Sequence, residues 1–83
     1  MYLGIIDVIP LDNYKLELTF ENKEKRIFDF VPYLKTGIFS ELSDKNLFKS
    51  VFVSFDTIEW KNGADLDPEI LYEESYLFNA EYC

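Results

Sequence analysis

Two stretches decide the fold: Tyr14-Lys15-Leu16-Glu17-Leu18-Thr19-Phe20-Glu21 and, after a polar turn, Lys25-Arg26-Ile27-Phe28-Asp29-Phe30. In the first, Tyr14, Leu16, Leu18 and Phe20 alternate with Lys15, Glu17, Thr19 and Glu21. Because successive side chains of a strand point to opposite faces, this period of two makes one face dry and the other wet. In the second, Arg26, Phe28 and Phe30 share one face while Ile27 and Asp29 share the other. The linking stretch from Glu21 to Glu24 contains Asn22, a residue type that tolerates turn conformations. The pattern predicts a β-hairpin over residues 14–30.

Working outward, residues 2–9 (YLGIIDVI) are rich in β-branched side chains and read as a first strand stopped by Pro10. Val31-Pro32 ends the hairpin, since proline has no N–H for a sheet ladder. Tyr33 and Leu34 predict a helical turn stopping near Gly37, and Ile38, Phe39 and Leu42 anchor a second. Ser43 or Asp44 caps a short helix carrying Leu47 and Phe48. Strand alternation returns with Val51, Val53 and Phe55, then shifts phase to Ile58 and Trp60, which places a bulge or tight turn near Asp56. Lys61-Asn62-Gly63 is a turn, because Asn and Gly take positive φ at low cost. Asp67-Pro68-Glu69 then opens a helix with an acceptor, a proline and an acid where each is favoured. Ile70, Leu71, Glu73 and Glu74 continue it, with a pattern that can run on through Leu77 and Phe78. The expectation is an α+β fold: one small domain with a mainly antiparallel sheet of about four to five strands, short helices between the hairpin and the last strand, and one C-terminal helix. Residues 1–74 form the domain, and 75–83 are a tail that extends the last helix or serves an interface.

Composition narrows the chemistry. The 83 residues suit a single domain, and 48% hydrophobic with 18% aromatic side chains can supply its core. Histidine is absent and the only cysteine is Cys83, so Cys/His zinc sites, Ser-His-Asp or Cys-His catalysis and intrachain disulfides are excluded. The longest apolar runs fall far short of the ~20 residues that span a bilayer, and no signal-peptide pattern opens the chain. A location in the reducing cytoplasm, away from membranes, is expected. The formal net charge is −8. Residues 1–50 hold eight acids and seven bases, whereas residues 51–83 hold eight acids and one base, Lys61. Such a C-terminal half repels nucleic acid, whose binding needs Lys and Arg, and attracts basic proteins. The cluster Lys23, Lys25, Arg26 reads as a solvated hairpin tip.

The segment from Thr57 to Tyr72, TIEWKNGADLDPEILY, resembles the signature of the bacterial family called domain of unknown function (DUF) 2442, with its Trp, Asn-Gly turn, Asp, Pro and Leu-Tyr in order. The Tyr-Lys-Leu strand, the Phe-Asp-Phe strand end before a proline, the Gly-Ile-Phe step and Leu42 through Phe48 fit too, so the likeness spans residues 4–74. Lys61 stands where many relatives resemble one another in having proline, and Ser75 to Cys83 matches nothing in the family pattern. The resemblance implies no catalytic residues. It implies a small cytoplasmic protein of a kind proposed to form toxin-antitoxin pairs, and acidity then suits the antitoxin side. Some relatives continue into a helix-turn-helix DNA-binding domain, but the chain ends before such a segment, so DNA binding is not carried over.

The candidate interaction residues are Trp60, Asp65, Asp67, Glu69, Glu73, Glu74, Tyr76, Phe78 and Tyr82. The acids offer an electrostatic surface for a basic protein, and the aromatics of the tail pack on their own sheet or dock on another subunit. Within this set Asp67 is foremost a helix cap, Asp65 a turn former and Trp60 a buried ring. Asp65, Asp67 and Glu69 are weak candidates for a hard cation, lacking the further ligands of a calcium loop, and no cofactor is expected. A second reading makes Asp29 and Asp65 an acid–base pair in a small-molecule-binding or catalytic domain, which requires both in one cleft. A third is a homo-oligomeric structural domain.

Overall fold

The computed structural model describes residues 3–77. Strand β1 (Ile5–Leu11) pairs antiparallel with β2 (Lys15–Phe20), which pairs with β3 (Lys25–Asp29), forming the expected hairpin. Leu16, Leu18 and Phe20 are fully buried, each contributing about 2 kcal/mol of apolar burial. At the β2–β3 turn the left-handed residue is Lys23 (φ 73), while the Asn22 carboxamide accepts the Glu24 amide at 3.0 Å. Asn22 thus shapes the turn through its side chain.

Pro10 does not stop β1, which runs on to Leu11 with Pro10 opposite Leu16. The strand lies at the sheet edge, where a missing N–H removes no ladder bond. Helical turns at Val31–Tyr33 and Gly37–Ser43 lead to α1 (Lys45–Phe48), capped by Asp44, whose carboxylate accepts the Asn46 amide at 3.0 Å. A second antiparallel sheet follows, built from β4 (Phe52–Ser54), β5 (Thr57–Glu59) and β6 (Asp65–Leu66) in that order. The phase shift near Asp56 is a tight turn: Ser54 faces Thr57, leaving only Phe55 and Asp56 in the loop. At the other end of β5, Gly63 (φ 89) closes the Asn-Gly turn, and the Asn62 carboxamide accepts the Ala64 amide at 3.1 Å.

Helix α2 (Pro68–Glu74) begins as expected, with the Asp67 carboxylate accepting the Glu69 amide at 2.8 Å. It ends at Glu74. The continuation through Leu77 gives way to β7 (Tyr76–Leu77), which adds to the first sheet beside β3, with Tyr76 opposite Ile27 and Leu77 opposite Arg26. Phe78 and Tyr82 lie outside the described residues. The cause is Arg26: its Nε donates to Ser75 Oγ at 2.8 Å, its other terminal nitrogen to Ser75 O at 2.9 Å, and its guanidinium lies 4.3 Å over the Tyr72 ring. Charge-assisted bonds to a buried backbone carbonyl outweigh one more turn of helix. The α+β class with antiparallel pairing holds, in the form of a four-stranded and a three-stranded sheet.

The core lies between the two sheets and the helical segment. Phe30 is its hub, with ring centroids of Phe28, Tyr33, Phe39, Phe48 and Trp60 between 5.1 and 6.3 Å away. The Trp60 indole N–H donates to Phe48 O at 3.0 Å, which satisfies a buried donor and ties the end of α1 to the second sheet. On the opposite face of the first sheet Ile9, Glu17, Ile27 and Tyr76 form one cross-strand row.

Candidate functional site

The turn between β4 and β5 displays the least protected large apolar side chain among the described residues. Phe55 is 99% exposed and sits at φ 56. That backbone region costs a residue bearing a Cβ about 1–2 kcal/mol, which is why glycine usually fills such positions in two-residue hairpins. Neither burial nor backbone preference accounts for a phenylalanine here.

Acids lie beside this turn because of how the two sheets meet. Ile5 N donates to Asp56 O at 2.9 Å and Glu21 N to Gly4 O at 2.9 Å, while the Gly4 amide donates to the Glu21 carboxylate at 2.9 Å. Gly4 is the close-approach point: a Cβ there would lie 3.2 Å from both the Asp56 side chain and the Glu21 carboxyl carbon. The Thr57 hydroxyl donates to Leu66 O, so Asp67 and the start of α2 fall at this same end of the second sheet. Glu21, Asp56 and Asp67, all exposed, therefore flank the turn that carries Phe55.

The candidate acids Asp65, Asp67, Glu69, Glu73 and Glu74 are all exposed along β6 and α2, around the partly exposed Ile70. Among the described residues the only ion pair is Arg26–Glu24 at 3.2 Å, so none of these five is neutralised by a neighbouring base. Two have internal duties as well: Asp67 caps α2, and Glu74 accepts the Tyr33 hydroxyl. Burial, and next the Glu74 bond, push the Tyr33 phenol up to about 12. Glu24 is held below the ordinary carboxylate value mainly by the Tyr72 hydroxyl and further by Arg26, and Tyr72 is raised in turn chiefly by donating to Glu24.

Trp60 is fully buried, which removes it as a surface anchor; that place on the surface is taken by Phe55, which the sequence reading assigned to a strand face. Tyr76 is 53% exposed on the outer sheet face. Asp29 ends β3 in the first sheet and accepts the Val31 amide at 3.0 Å, whereas Asp65 faces Glu59 in the second. No group of three or more Asp, Glu, Cys or His with metal-holding geometry occurs among the described residues.

A second feature lies at the other end of the first sheet, where β1 turns into β2. Asn13 (φ 63, ψ 30) and Tyr14 (φ 60) are successive left-handed residues. The Tyr14 hydroxyl donates to Ser43 O, its carbonyl accepts the Phe30 amide at 2.9 Å, and its ring meets Phe48 edge-on at 5.3 Å. These contacts hold the turn against α1 and leave between them an open-mouthed cavity of about 340 Å³ lined by Leu11, Asp12, Asn13, Tyr14, Lys45, Phe48 and Lys49. Neither Asp29 nor Asp65 lines it.

A small α+β domain with an acidic flank is the class these features define. The family model described as protein of unknown function (DUF2442) matches residues 5–76, and the chain belongs to that family. The match reaches two residues past the likeness read from sequence and takes in β7 up to Tyr76. No curated protein and no solved structure matches the chain. No helix among the described residues is long and apolar enough to cross a membrane.

Proposed function

We propose that this protein is a non-enzymatic interaction module that docks a basic protein in the cytoplasm, in the manner of an antitoxin neutralising a cationic toxin. The observation that carries the reading is Phe55, almost fully exposed at a left-handed position on a turn flanked by Glu21, Asp56 and Asp67. An aromatic that inserts into a partner's pocket, ringed by charges that steer the encounter, is a common way for a few residues to dominate an interface. The acids of β6 and α2 extend the same charge over the neighbouring surface, which fits a partner rich in Lys and Arg.

The experiment is affinity purification of the tagged protein from its native host across a salt series. The expected result is a basic protein retained at low salt, released as salt rises, and lost with Phe55→Ala, which keeps the backbone and removes only the ring. A basic partner held equally by Phe55→Ala, or recovery of the protein alone at every salt, would count against the reading.

A further inference from the structure

We infer that the cavity between the β1–β2 turn and α1 is a binding site for a small phosphate monoester carrying a flat ring, of the nucleoside monophosphate kind. It lies at the opposite end of the first sheet from Phe55: Leu11 and Lys15 pair at the cavity end, and Ile5 and Phe20 at the other.

Three features converge on this ligand. The first is charge. Lys45 and Lys49 are four residues apart, so their side chains rise from one face of the α1 turn, and both line the cavity. Neither has an acidic side chain within ion-pair distance among the described residues, where Arg26–Glu24 is the only ion pair. Two neighbouring ammonium groups repel each other until an anion sits between them, and a phosphate dianion matches two point charges better than a single carboxylate does. In a chain of net charge −8, a wall with two cations to one acid is a local reversal of sign.

The second feature is shape. About 340 Å³ falls within the range of small-molecule clefts, roughly 300–1,000 Å³. Inorganic phosphate alone leaves most of it unfilled. Leu11, Tyr14 and Phe48 supply apolar surface suited to a flat ring, and Asp12 and Asn13 offer acceptors to hydroxyl groups between ring and phosphate. The third feature is the backbone. Tyr14 is held left-handed by bonds to Ser43 and Phe30 from two other segments, so the aromatic wall is built in place before any ligand arrives.

The test is amide chemical-shift mapping with AMP, adenosine and inorganic phosphate as probes, on the wild type and on the double variant Lys45→Gln/Lys49→Gln. Both lysines are exposed and unpaired, so the variant should keep the wild-type urea midpoint. AMP should shift residues 11–14 and 45–49 and saturate at millimolar concentration or below, with adenosine and phosphate each at least about tenfold weaker. The double variant should weaken AMP at least about tenfold, whereas Lys25→Gln at the distant hairpin tip should not. The inference is overturned by an absence of shifts at about 5 mM AMP, by phosphate or adenosine binding as tightly as AMP, or by unchanged affinity in the double variant. Because the partner assay reads Phe55 and this one reads Lys45 and Lys49, either proposal can fail without the other.

Discussion

Replacing Phe55 by glycine should stabilise the protein, a rare direction for deleting a phenylalanine. Truncating a buried phenylalanine costs about 3–5 kcal/mol through lost transfer energy and a cavity. At 99% exposure Phe55 has no burial to lose, so both contributions vanish. What remains is backbone. Holding a residue with a Cβ at φ 56 costs about 1–2 kcal/mol, which glycine does not incur. Against this, glycine gives the unfolded chain extra freedom worth about 0.5–1 kcal/mol. The difference is a gain of about 0.5 kcal/mol, or a melting midpoint higher by about 2–4 °C for a domain this size. Phe55→Ala separates the two effects: it removes the ring but keeps the strain, so its stability should stay within about 0.5 kcal/mol of wild type. Urea unfolding followed by fluorescence of Trp60, the one tryptophan and a fully buried one, reads both variants. A loss above about 1 kcal/mol in Phe55→Gly would refute the reasoning, because it would mean that the ring packs on something in the folded protein.

Arg26→Ala should destabilise by about 2–4 kcal/mol, since it removes charge-assisted bonds to Ser75 and leaves that buried residue short of a partner. Hydrogen exchange should show Leu77 losing protection first, and Arg26→Lys should restore little, as an ammonium cannot reproduce the fork. Tyr33 should titrate well above an ordinary phenol; phenolate absorbance of wild type minus Tyr33→Phe should show a component near pH 12. The sign follows from linkage. The folded state keeps the Tyr33 proton where the unfolded state releases it near the ordinary value of 10, so this contribution is intact below about pH 10 and lost as pH rises through about 12. Tyr33→Phe should flatten that decline in a series of urea midpoints. Phe30→Ala should cost about 3–5 kcal/mol in the same assay, because its ring meets five other aromatic rings.

The parts of the fold legible in sequence were those specified by neighbours along the chain. Alternation gave the hairpin, Asn62-Gly63 gave the turn between β5 and β6, and Asp44 and Asp67 marked helix starts that their carboxylates do cap. The illegible parts depend on partners far away. Tyr76-Leu77 continues a helical pattern on paper, and only Arg26, 49 residues before Ser75, turns it into a strand. Alternation marked β4, β5 and the turn near Asp56, but their separation into a second sheet, completed by the two-residue β6, depends on pairing that no local pattern signals. Pro10 looked like a stop because an edge position cannot be told from a central one without knowing the neighbours.

The candidate sites divide in the same way. The acids were legible as a charge imbalance, and the structure leaves them on the surface. Phe55 was misplaced because the alternation Val51, Val53, Phe55 continues smoothly through it, and nothing local signals that the chain reverses there with φ positive. The cavity was invisible, since residues 11–14 and 45–49 lie far apart in sequence and come together through contacts of Tyr14 with Phe48 and with the neighbouring Ser43.

The stitch between Arg26 and Ser75 also orders events during synthesis. Until residues 75–77 have left the ribosome, β3 is the bare outer edge of a growing three-stranded sheet, with unpaired amides and carbonyls and an arginine that lacks its bonds to Ser75. A nascent chain halted at Glu74 holds the whole hydrophobic hairpin yet lacks its guard strand, and is open to pairing with another unfinished copy. Closing the sheet therefore waits on residues 75–77.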